Sequence, residues 1–164
     1  MNVAIIGSGI IGLSCAWRLA QRGCRVTTFD GNRESQEASW TAAGMLAPHN
    51  EADEPDALWH LCSDSLGRWS TFVDDLVSSP LELDYHRKGS LIPIFSDAEK
   101  QALGAKIKAL AKENIPFEWL SSQELKLKEP ALGHDQLLGA YHLDGGHVDP
   151  RKVCSILRKR CEAL

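Results

Sequence analysis

The sequence feature that most constrains the fold is a glycine-rich turn near the N-terminus, placed between two short apolar runs. Residues 3–12 read VAIIGSGIIG, which joins an apolar run to a GxGxxG pattern and then to a helical stretch. A second apolar run, residues 26–29, ends at Asp30. Because the turn has this whole context, the order predicts a strand, a tight turn, a helix and a second, parallel strand. Gly23, just past the predicted helix, is expected to end it in a left-handed conformation.

The three glycines of the turn each have a physical role in such a unit. Gly7 allows the tight turn, Gly9 lets the backbone approach a pyrophosphate, and Gly12 lets the helix pack closely on the strand. The helix N-terminus presents unpaired N–H groups and the positive end of the helix dipole to an anion. The turn therefore predicts a dinucleotide-binding site. The alternative is a glycine-rich turn in another class of parallel-sheet protein.

Asp30 narrows the choice of dinucleotide. It follows the turn at about the 20-residue spacing of the carboxylate that accepts hydrogen bonds from ribose hydroxyls. A carboxylate there repels a 2′-phosphate, which disfavours NADP and leaves NAD and FAD open. The alternative is a solvated residue that begins a turn with Gly31.

Composition and charge exclude several classes of protein. The 164 residues, 43% hydrophobic and 24% charged, suit one globular domain or one and a fraction. A net charge of −4 gives no indication of binding to nucleic acid or to an anionic membrane surface. No apolar run approaches the roughly 20 residues of a membrane span, and no basic region precedes the first apolar run as in a secretion signal.

The cysteines and histidines do not form recognisable sites. Five cysteines without a CxxC pair indicate free thiols and a cytoplasmic location, and Cys15 and Cys154 are expected to be buried on helices. The six histidines lack metal-ligand spacing, so no metal is expected.

The rest of the chain predicts alternating helices and strands. Patterns and turn residues place helices at 56–78, 96–113, 121–129 and from Asp149-Pro150 onward, with strands at 83–85, 90–95, 116–120 and 137–143. Ser96 with Glu99 and Ser121 with Glu124 have the spacing of capping boxes. Pro93 is expected to restrict its strand to a sheet edge or bulge. In the helix at 56–78 the predicted buried face is Leu58, Cys62, Leu66, Trp69, Val73 and Leu76.

A run of small residues follows the second strand. Residues 41–48 read TAAGMLAP, and small side chains in series allow the backbone to approach a neighbouring group. The alternative is a plain connecting loop, although a loop at this point of the chain is expected to lie near the glycine turn.

These motifs together resemble the D-amino-acid oxidase superfamily, and most closely its glycine oxidases of the thiamine-biosynthesis type. The resemblance rests on the glycine turn, on residues 38–48 and on residues 139–150, which end in Gly-His-Val-Asp-Pro, and it spans residues 2–164. Asp30 stands where that family more often has glutamate, and Trp40 where it more often has a small residue.

The resemblance implies an α/β fold with a Rossmann-type FAD-binding unit and part of a mixed-sheet α+β substrate domain. It assigns residues 1–80 and 149–164 to the FAD-binding domain and residues 81–148 to the substrate domain. It further implies that Ile10 and Ile11 donate backbone hydrogen bonds to the pyrophosphate, and that Ala43 to Met45 lie along the flavin ring. With the glycine turn, the expected cofactor-binding set is Gly7, Gly9, Ile10, Ile11, Gly12, Asp30, Gly31, Ala38, Ser39, Ala43, Gly44 and Met45.

The implied reaction is the FAD-dependent oxidative deamination of glycine or another small amino acid. Hydride passes from Cα to flavin N5 and dioxygen is the acceptor, with a link to thiamine biosynthesis. Sarcosine oxidase, a D-amino-acid dehydrogenase and a non-catalytic nucleotide-binding module remain alternatives, while the small-residue loop argues against an NAD enzyme. Family members are about twice as long, so the chain is expected to be an inactive N-terminal half, incomplete at its C-terminus. No catalytic residue is assigned within it, and the full-length form is compatible with a homo-oligomer.

Overall fold

The computed structural model describes residues 1–31, 38–51, 54–133 and 136–164. Their helices and strands are β1 (Asn2–Ile6), α1 (Ile10–Gln21), β2 (Arg25–Phe29), α2 (Ala38–Thr41), β3 (Met45–Leu46), α3 (Pro48–Glu51), α4 (Ala57–Leu76), a 3-10 helix (Pro80–Leu83), β4 (Ser90–Ile94), α5 (Asp97–Ala102), α6 (Gly104–Lys112), β5 (Phe117–Ser121), α7 (Ser122–Lys128), β6 (Gly139–Leu143), β7 (Gly146–His147) and α8 (Pro150–Glu162). This mixture of helices and strands is the α/β class that the sequence predicts. Within the described ranges, no helix is both long and apolar enough to cross a membrane.

The chain divides into two compact units. The first unit comprises Met1–Met45, Trp69–His86 and His147–Leu164, and the second comprises Leu46–Arg68 and Arg87–Gly146. The long helix α4 contributes residues to both units, because the division falls between Arg68 and Trp69.

The first unit contains the βαβ arrangement that the glycine turn predicts. β1 and β2 pair in parallel, from Asn2 opposite Arg25 to Ile6 opposite Phe29, with α1 between them in the chain. Gly23 has the expected left-handed conformation (φ 78°), and its N–H donates to the carbonyl of Ala20. This ends α1 and returns the chain to β2.

Helix α8 also belongs to the first unit and begins where the sequence predicts. The Asp149 carboxylate accepts hydrogen bonds from the backbone N–H groups of Arg151 and Lys152, which caps the helix N-terminus. Val153 and Leu157 are fully buried on one face. The Arg160 Nε donates to the Leu76 carbonyl at 2.9 Å, which ties the C-terminal part of α8 to the end of α4.

The second unit is built on an antiparallel three-stranded sheet in the order β4-β6-β5. Pro93 lies on β4 at the edge of this sheet, as predicted, because an edge strand does not need its missing N–H. Two buried clusters pack in this unit. The first contains Leu120, Leu125, Leu137 and Ala140, and the second contains Trp59, Leu110 and Leu143.

Two predicted elements differ in the structure. The helix expected over 96–113 is interrupted at Leu103, before Gly104, a residue of low helix propensity. The strand expected at 83–85 does not form, because Leu83 ends the 3-10 helix and a turn follows it. Ser79 and Glu82 form a capping box there, and Asp84 adopts a left-handed conformation (φ 53°) that ends the helix.

Two burial predictions are also wrong. On α4 the side chain of Leu58 is 65% exposed, and the neighbouring Trp59 packs in its place against Leu110 and Leu143. Cys15 is exposed because it lies on the side of α1 opposite its buried residues, whereas Cys154 on α8 is buried as expected.

One of the two predicted capping boxes forms. Ser121 and Glu124 form the box at the start of α7. At the start of α5 the Glu99 carboxylate accepts from the Phe95 N–H rather than from the N–H of Ser96.

Candidate functional site

A cavity of about 310 Å³ lies at the carboxyl ends of β1 and β2, where ligands bind in open parallel sheets. It brings together six of the residues that the sequence predicts to bind the cofactor. It is lined by Ile6, Gly7, Gly9, Asp30, Gly31, Ala38 and Ser39. The volume falls in the lower part of the range typical of ligand pockets, roughly 300–1,000 Å³.

Asp30 is held at this cavity by the glycine turn itself. Its Oδ2 accepts hydrogen bonds from the Ser8 backbone N–H at 2.7 Å and from the Ser8 hydroxyl at 2.6 Å. The Asp30 side chain is therefore oriented before any ligand binds. Ser8 was not among the sequence-predicted site residues, although its place inside the GxGxxG pattern and its hydroxyl were a signal that could have found it.

The N-terminus of α1 faces Ser39. The Ile10 backbone N–H donates to the Ser39 Oγ at 3.1 Å. A Cβ added at Gly9 would lie 3.0 Å from the same oxygen, so Gly9 leaves space where the turn, the helix end and Ser39 meet. An oxygen acceptor thus already lies where the helix N-terminus favours an anion.

The other two glycines of the turn are needed for its backbone conformation and for the close packing of α1. Gly7 has a φ of 99°, a conformation that side chains rarely adopt. A Cβ at Gly12 would lie 2.0 Å from the Gly7 carbonyl oxygen, so only a glycine lets α1 approach the turn this closely. The backbone of the turn and the helix N-terminus consequently lie beside the cavity.

The small-residue run lies outside this cavity. Gly44 (φ 77°) accepts a hydrogen bond from the Val148 N–H at 3.0 Å, and a Cβ at Gly44 would lie 1.9 Å from the Val148 oxygen. Ala43 instead lines a separate cavity of about 270 Å³, and Met45 is 57% exposed. The close backbone approach predicted for this run therefore occurs, and in this structure the neighbouring group is residue 148.

Two further predicted residues, Ile10 and Ile11 at the start of α1, do not line the 310 Å³ cavity. Ile11 is 79% exposed, whereas the backbone N–H of Ile10 is aimed at Ser39. Both lie in the first turn of the helix, which leaves their N–H groups without partners inside the helix.

Trp40 has a partner that the sequence did not indicate. The Arg151 guanidinium lies 5.1 Å from the centroid of the Trp40 ring, and its Nε donates to the Trp40 carbonyl at 3.0 Å. Arg151 and Ala43 both line the 270 Å³ cavity.

The second unit contains a buried histidine that the sequence did not single out. His49 is 2% exposed and packs against the Trp59 ring at 5.2 Å. Burial lowers the pKa of His49, and nearby Asp144 opposes that shift. The Arg87 guanidinium binds Asp144 through two hydrogen bonds of 2.7 and 3.3 Å, which lowers the pKa of that carboxyl.

The residues present fit one end of a dinucleotide. Backbone N–H groups, a hydroxyl and an oriented carboxylate surround the cavity, and these are the groups that bind a pyrophosphate and a ribose. In the described ranges no three His, Cys, Asp or Glu residues are grouped so that they could hold a metal ion.

Comparison with known proteins agrees with this chemistry. A family model described as DAO, FAD dependent oxidoreductase, matches residues 2–164. The chain is 34% identical to the bifunctional protein ThiO/ThiG of Synechocystis sp. and 30% identical to the glycine oxidase of Bacillus licheniformis. Both alignments cover 99% of this chain, but only 24% and 43% of the respective relatives.

Solved structures give the same result. The glycine oxidase of Bacillus cereus superposes with a TM-score of 0.86 at 26% identity, over 98% of this chain and 43% of that one. The chain thus spans less than half the length of the proteins that it resembles.

Proposed function

Because the chain belongs to the DAO family of FAD-dependent oxidoreductases, we propose that its first unit binds FAD at the cavity between the glycine turn and Ser39. The observation that carries the proposal is the orientation of Asp30 by Ser8 at the edge of this cavity. The proposed cofactor residues are the twelve of the sequence analysis together with Ser8.

Each part of the proposed site has a separate task. Asp30 accepts hydrogen bonds from the adenosine ribose, and Gly31 lies beside it. The backbone N–H groups at the start of α1 donate to the pyrophosphate, and the Ser39 hydroxyl donates to a phosphate oxygen once the ligand accepts from Ile10. Ala38 lines the same stretch of the cofactor. In this assignment Gly9 provides the space that the pyrophosphate requires.

The small-residue run is proposed to lie along the flavin ring. Ala43 presents only a methyl group, and Gly44 is fixed by its backbone hydrogen bond to Val148. A flavin supplies the capacity to accept a hydride from the Cα of an amine, while the protein orients the two partners and excludes water. No side chain of this chain is assigned a catalytic role.

The proposed activity of the whole protein is oxidation of glycine or another small amino acid with dioxygen as acceptor. Support comes from relatives named glycine oxidase and from a bifunctional relative named ThiO/ThiG, which also motivates a proposed link to thiamine biosynthesis. We retain the proposed division into FAD-binding residues 1–80 and 149–164 and substrate-domain residues 81–148. We also propose that the 164-residue chain by itself binds FAD without turning over an amino acid.

Spectroscopy and an oxidase assay test the two halves of this proposal separately. The purified chain, mixed with FAD and gel-filtered, is expected to retain a flavin absorption band in the visible range. Peroxide release with glycine, sarcosine and D-alanine is expected to stay at the buffer rate. Loss of all flavin from a folded chain would refute the site, whereas turnover of any of the three substrates would refute the proposed inactivity.

A further inference from the structure

The short helix α2, which carries part of the proposed cofactor site, is not anchored by buried side chains. It comprises four residues, Ala38–Thr41, and none of them is buried. A single turn closes it, in which the Ala42 N–H donates to the Ala38 carbonyl at 3.0 Å. One helical turn is unstable in isolation, because its nucleation fixes several backbone angles for one hydrogen bond. The position of α2 therefore depends on its contacts with the rest of the first unit.

Two successive residues of α2 bind two different helices. The Ser39 Oγ accepts from the Ile10 N–H at 3.1 Å, which joins α2 to the N-terminus of α1. The Arg151 Nε donates to the Trp40 carbonyl at 3.0 Å, and the guanidinium lies 5.1 Å from the centre of the Trp40 ring, within cation–π range. The second pair of contacts joins α2 to the first turn of α8. Helix α2 thus bridges α1 and α8.

Arg151 has a fixed backbone because α8 is well packed. The Asp149 carboxylate accepts from the Arg151 N–H at 2.9 Å and caps the helix. Further along the helix, Val153 and Leu157 have no exposed surface, and α8 packs against α1. The guanidinium therefore attaches a weakly anchored helix to a strongly anchored one.

The place of the Ser39 hydroxyl tolerates little movement. A Cβ built on Gly9 would lie 3.0 Å from the Ser39 Oγ, so the hydroxyl is already close to the turn. Both residues line the 310 Å³ cavity together with Asp30. A displacement of α2 by roughly 1 Å would take the distance from Ser39 Oγ to the Ile10 nitrogen beyond hydrogen-bonding range.

We propose that Arg151 is a positioning residue of the cofactor site. By binding the carbonyl and the ring of Trp40, it holds α2 so that the Ser39 hydroxyl stays beside the N-terminus of α1. The proposed function places the pyrophosphate there, so the role of Arg151 rests on that function. A site held in its binding geometry binds more tightly, because less free energy is spent on ordering it when the ligand arrives.

Fluorescence titration with FAD measures the effect on affinity. Arg151→Ala should weaken binding roughly three- to tenfold, the effect of about one hydrogen bond with a cation–π contact at an exposed site. Lys152→Ala is the matched control, because Lys152 is the next residue of the same helical turn, has the same charge and pairs with Asp84 at 4.0 Å. It should leave the affinity unchanged. Equal weakening by both variants would show that charge acts rather than contact, and would overturn the proposal.

A double-mutant cycle separates positioning from a direct contact with the cofactor and from a general loss of stability. If Arg151 acts through Ser39, Arg151→Ala should change FAD affinity by less than about twofold in a chain that already carries Ser39→Ala. A guanidinium that touches the cofactor itself, or a general loosening of the unit, predicts the same factor in both backgrounds. Independent effects of the two substitutions would therefore overturn the proposal.

A measurement without FAD tests the position of α2 itself. The Ile10 amide exchanges when its bond to Ser39 opens, so Arg151→Ala should raise its hydrogen-exchange rate roughly three- to tenfold, and Lys152→Ala should not. Trp40→Ala removes the ring but keeps the carbonyl, so it should raise the rate by a smaller factor. If Arg151→Ala fails to fold by circular dichroism, Trp40→Ala decides the question. Unchanged exchange at Ile10 in the folded variant would overturn the proposal.

The outcomes separate this proposal from the proposed function. A parent chain that binds no FAD would refute the proposed function, and with it the role of Arg151 in cofactor binding. A parent chain that binds FAD, with an Arg151→Ala variant of equal affinity, would overturn the role of Arg151 and leave the proposed function standing. Weaker binding by Arg151→Ala, unchanged binding by Lys152→Ala and faster exchange at Ile10 would support both.

Discussion

The two units differ most in how their sheets are covered. In the second unit the β4-β6-β5 sheet has a closed core, in which Leu125 and Leu143 have no exposed surface. In the first unit the β1-β2 sheet leaves Ile6 93% and Phe29 56% exposed, and cavities of about 310 and 700 Å³ are lined in part by residues of its strands.

This difference separates residues that stabilise the fold from residues that present surfaces. The clusters of the second unit are satisfied by contacts among its own side chains, as expected for an antiparallel sheet packed on helices. In the first unit, Gly12 and Gly44 bring backbone close to backbone, and cavities lie beside the glycine turn and β2. Both units have fully buried residues, among them Val153 in the first and Leu143 in the second, so we interpret the first unit as the one that binds ligands from its cavities and not from weaker packing.

The largest expected effect is on the packing of the second unit. Leu125→Ala should lower the free energy of unfolding by about 2–5 kcal/mol, because it leaves a cavity in a fully buried cluster. Leu127→Ala on the same helix, where the side chain is 86% exposed, should change it by no more than about 0.5 kcal/mol. Chemical denaturation measures both. Equal effects of the two variants would show that this cluster is not a closed core.

Two glycine substitutions, Gly12→Ala in the first unit and Gly67→Ala in the second, compare a crowded position with an open one. Gly12→Ala would place a Cβ 2.0 Å from the Gly7 oxygen, so stability should fall by about 1–3 kcal/mol or more as α1 moves away from the turn. Gly67→Ala on α4 meets nothing within 4 Å and should raise stability by roughly 0.5–1 kcal/mol. Thermal unfolding of the two variants should therefore shift in opposite directions. A stable Gly12→Ala protein would contradict the close packing of α1.

The sequence predicted the βαβ unit well because its signals are local. Each signal acts within a few residues of the chain. Gly7 and Gly23 have the positive φ angles that a tight turn and a helix end require, and Asp149 caps α8 as predicted. The hydrogen bond between Ser8 and Asp30 was not predicted, because it depends on how two strand ends, distant in the chain, meet. The partner of Gly44 likewise lies more than 100 residues away, so its small size was recognised but its neighbour was not.

Predictions failed where a tertiary contact or a local helix cap outweighed the hydrophobic pattern. Leu58 satisfies the helical periodicity of α4, but the larger Trp59 forms the buried contact with Leu110 and Leu143. The predicted strand at 83–85 was lost because the capping by Ser79 and Glu82 stabilises a 3-10 helix just before it. His49 gave no sequence signal at all, since its burial depends on the packing of Trp59.

A binding experiment tests the open cavity of the first unit. Asp30→Ala should weaken FAD binding by about 1–3 kcal/mol, the magnitude expected when hydrogen bonds to a charged acceptor are lost. Asp75→Ala, which removes an exposed ion pair with Arg18, should leave FAD affinity unchanged and alter stability by no more than about 1 kcal/mol. Fluorescence titration reports the affinity. An Asp30→Ala chain that binds FAD as tightly as the parent would disprove the ribose assignment.

The smallest expected effect is a pH dependence that arises in the second unit. Burial lowers the pKa of His49 below the ordinary histidine value of about 6.5, so at a pH between the two pKa values the unfolded chain binds a proton that the folded chain does not. Stability should therefore fall as the pH decreases below about 6.5, by no more than about 1.4 kcal/mol per pH unit from this group.

A variant isolates that contribution. His49→Gln should flatten the slope of stability against pH just below 6.5, whereas Leu127→Ala, at an exposed residue that does not titrate, should leave it unchanged. The lowered pKa of Asp144 acts at more acid pH, because the stability that it contributes is lost as its carboxylate protonates below 3.8. Denaturation series at several pH values distinguish the two ranges. An unchanged slope in His49→Gln would show that His49 does not couple folding to pH.

Isothermal titration calorimetry of the 164-residue chain with FAD and with NADP tests the central claim most directly. The account predicts saturable binding of FAD at one site per chain and no measurable binding of NADP, because the Asp30 carboxylate accepts from ribose hydroxyls and repels a 2′-phosphate. A folded chain that binds neither compound, or that binds NADP as tightly as FAD, would contradict it.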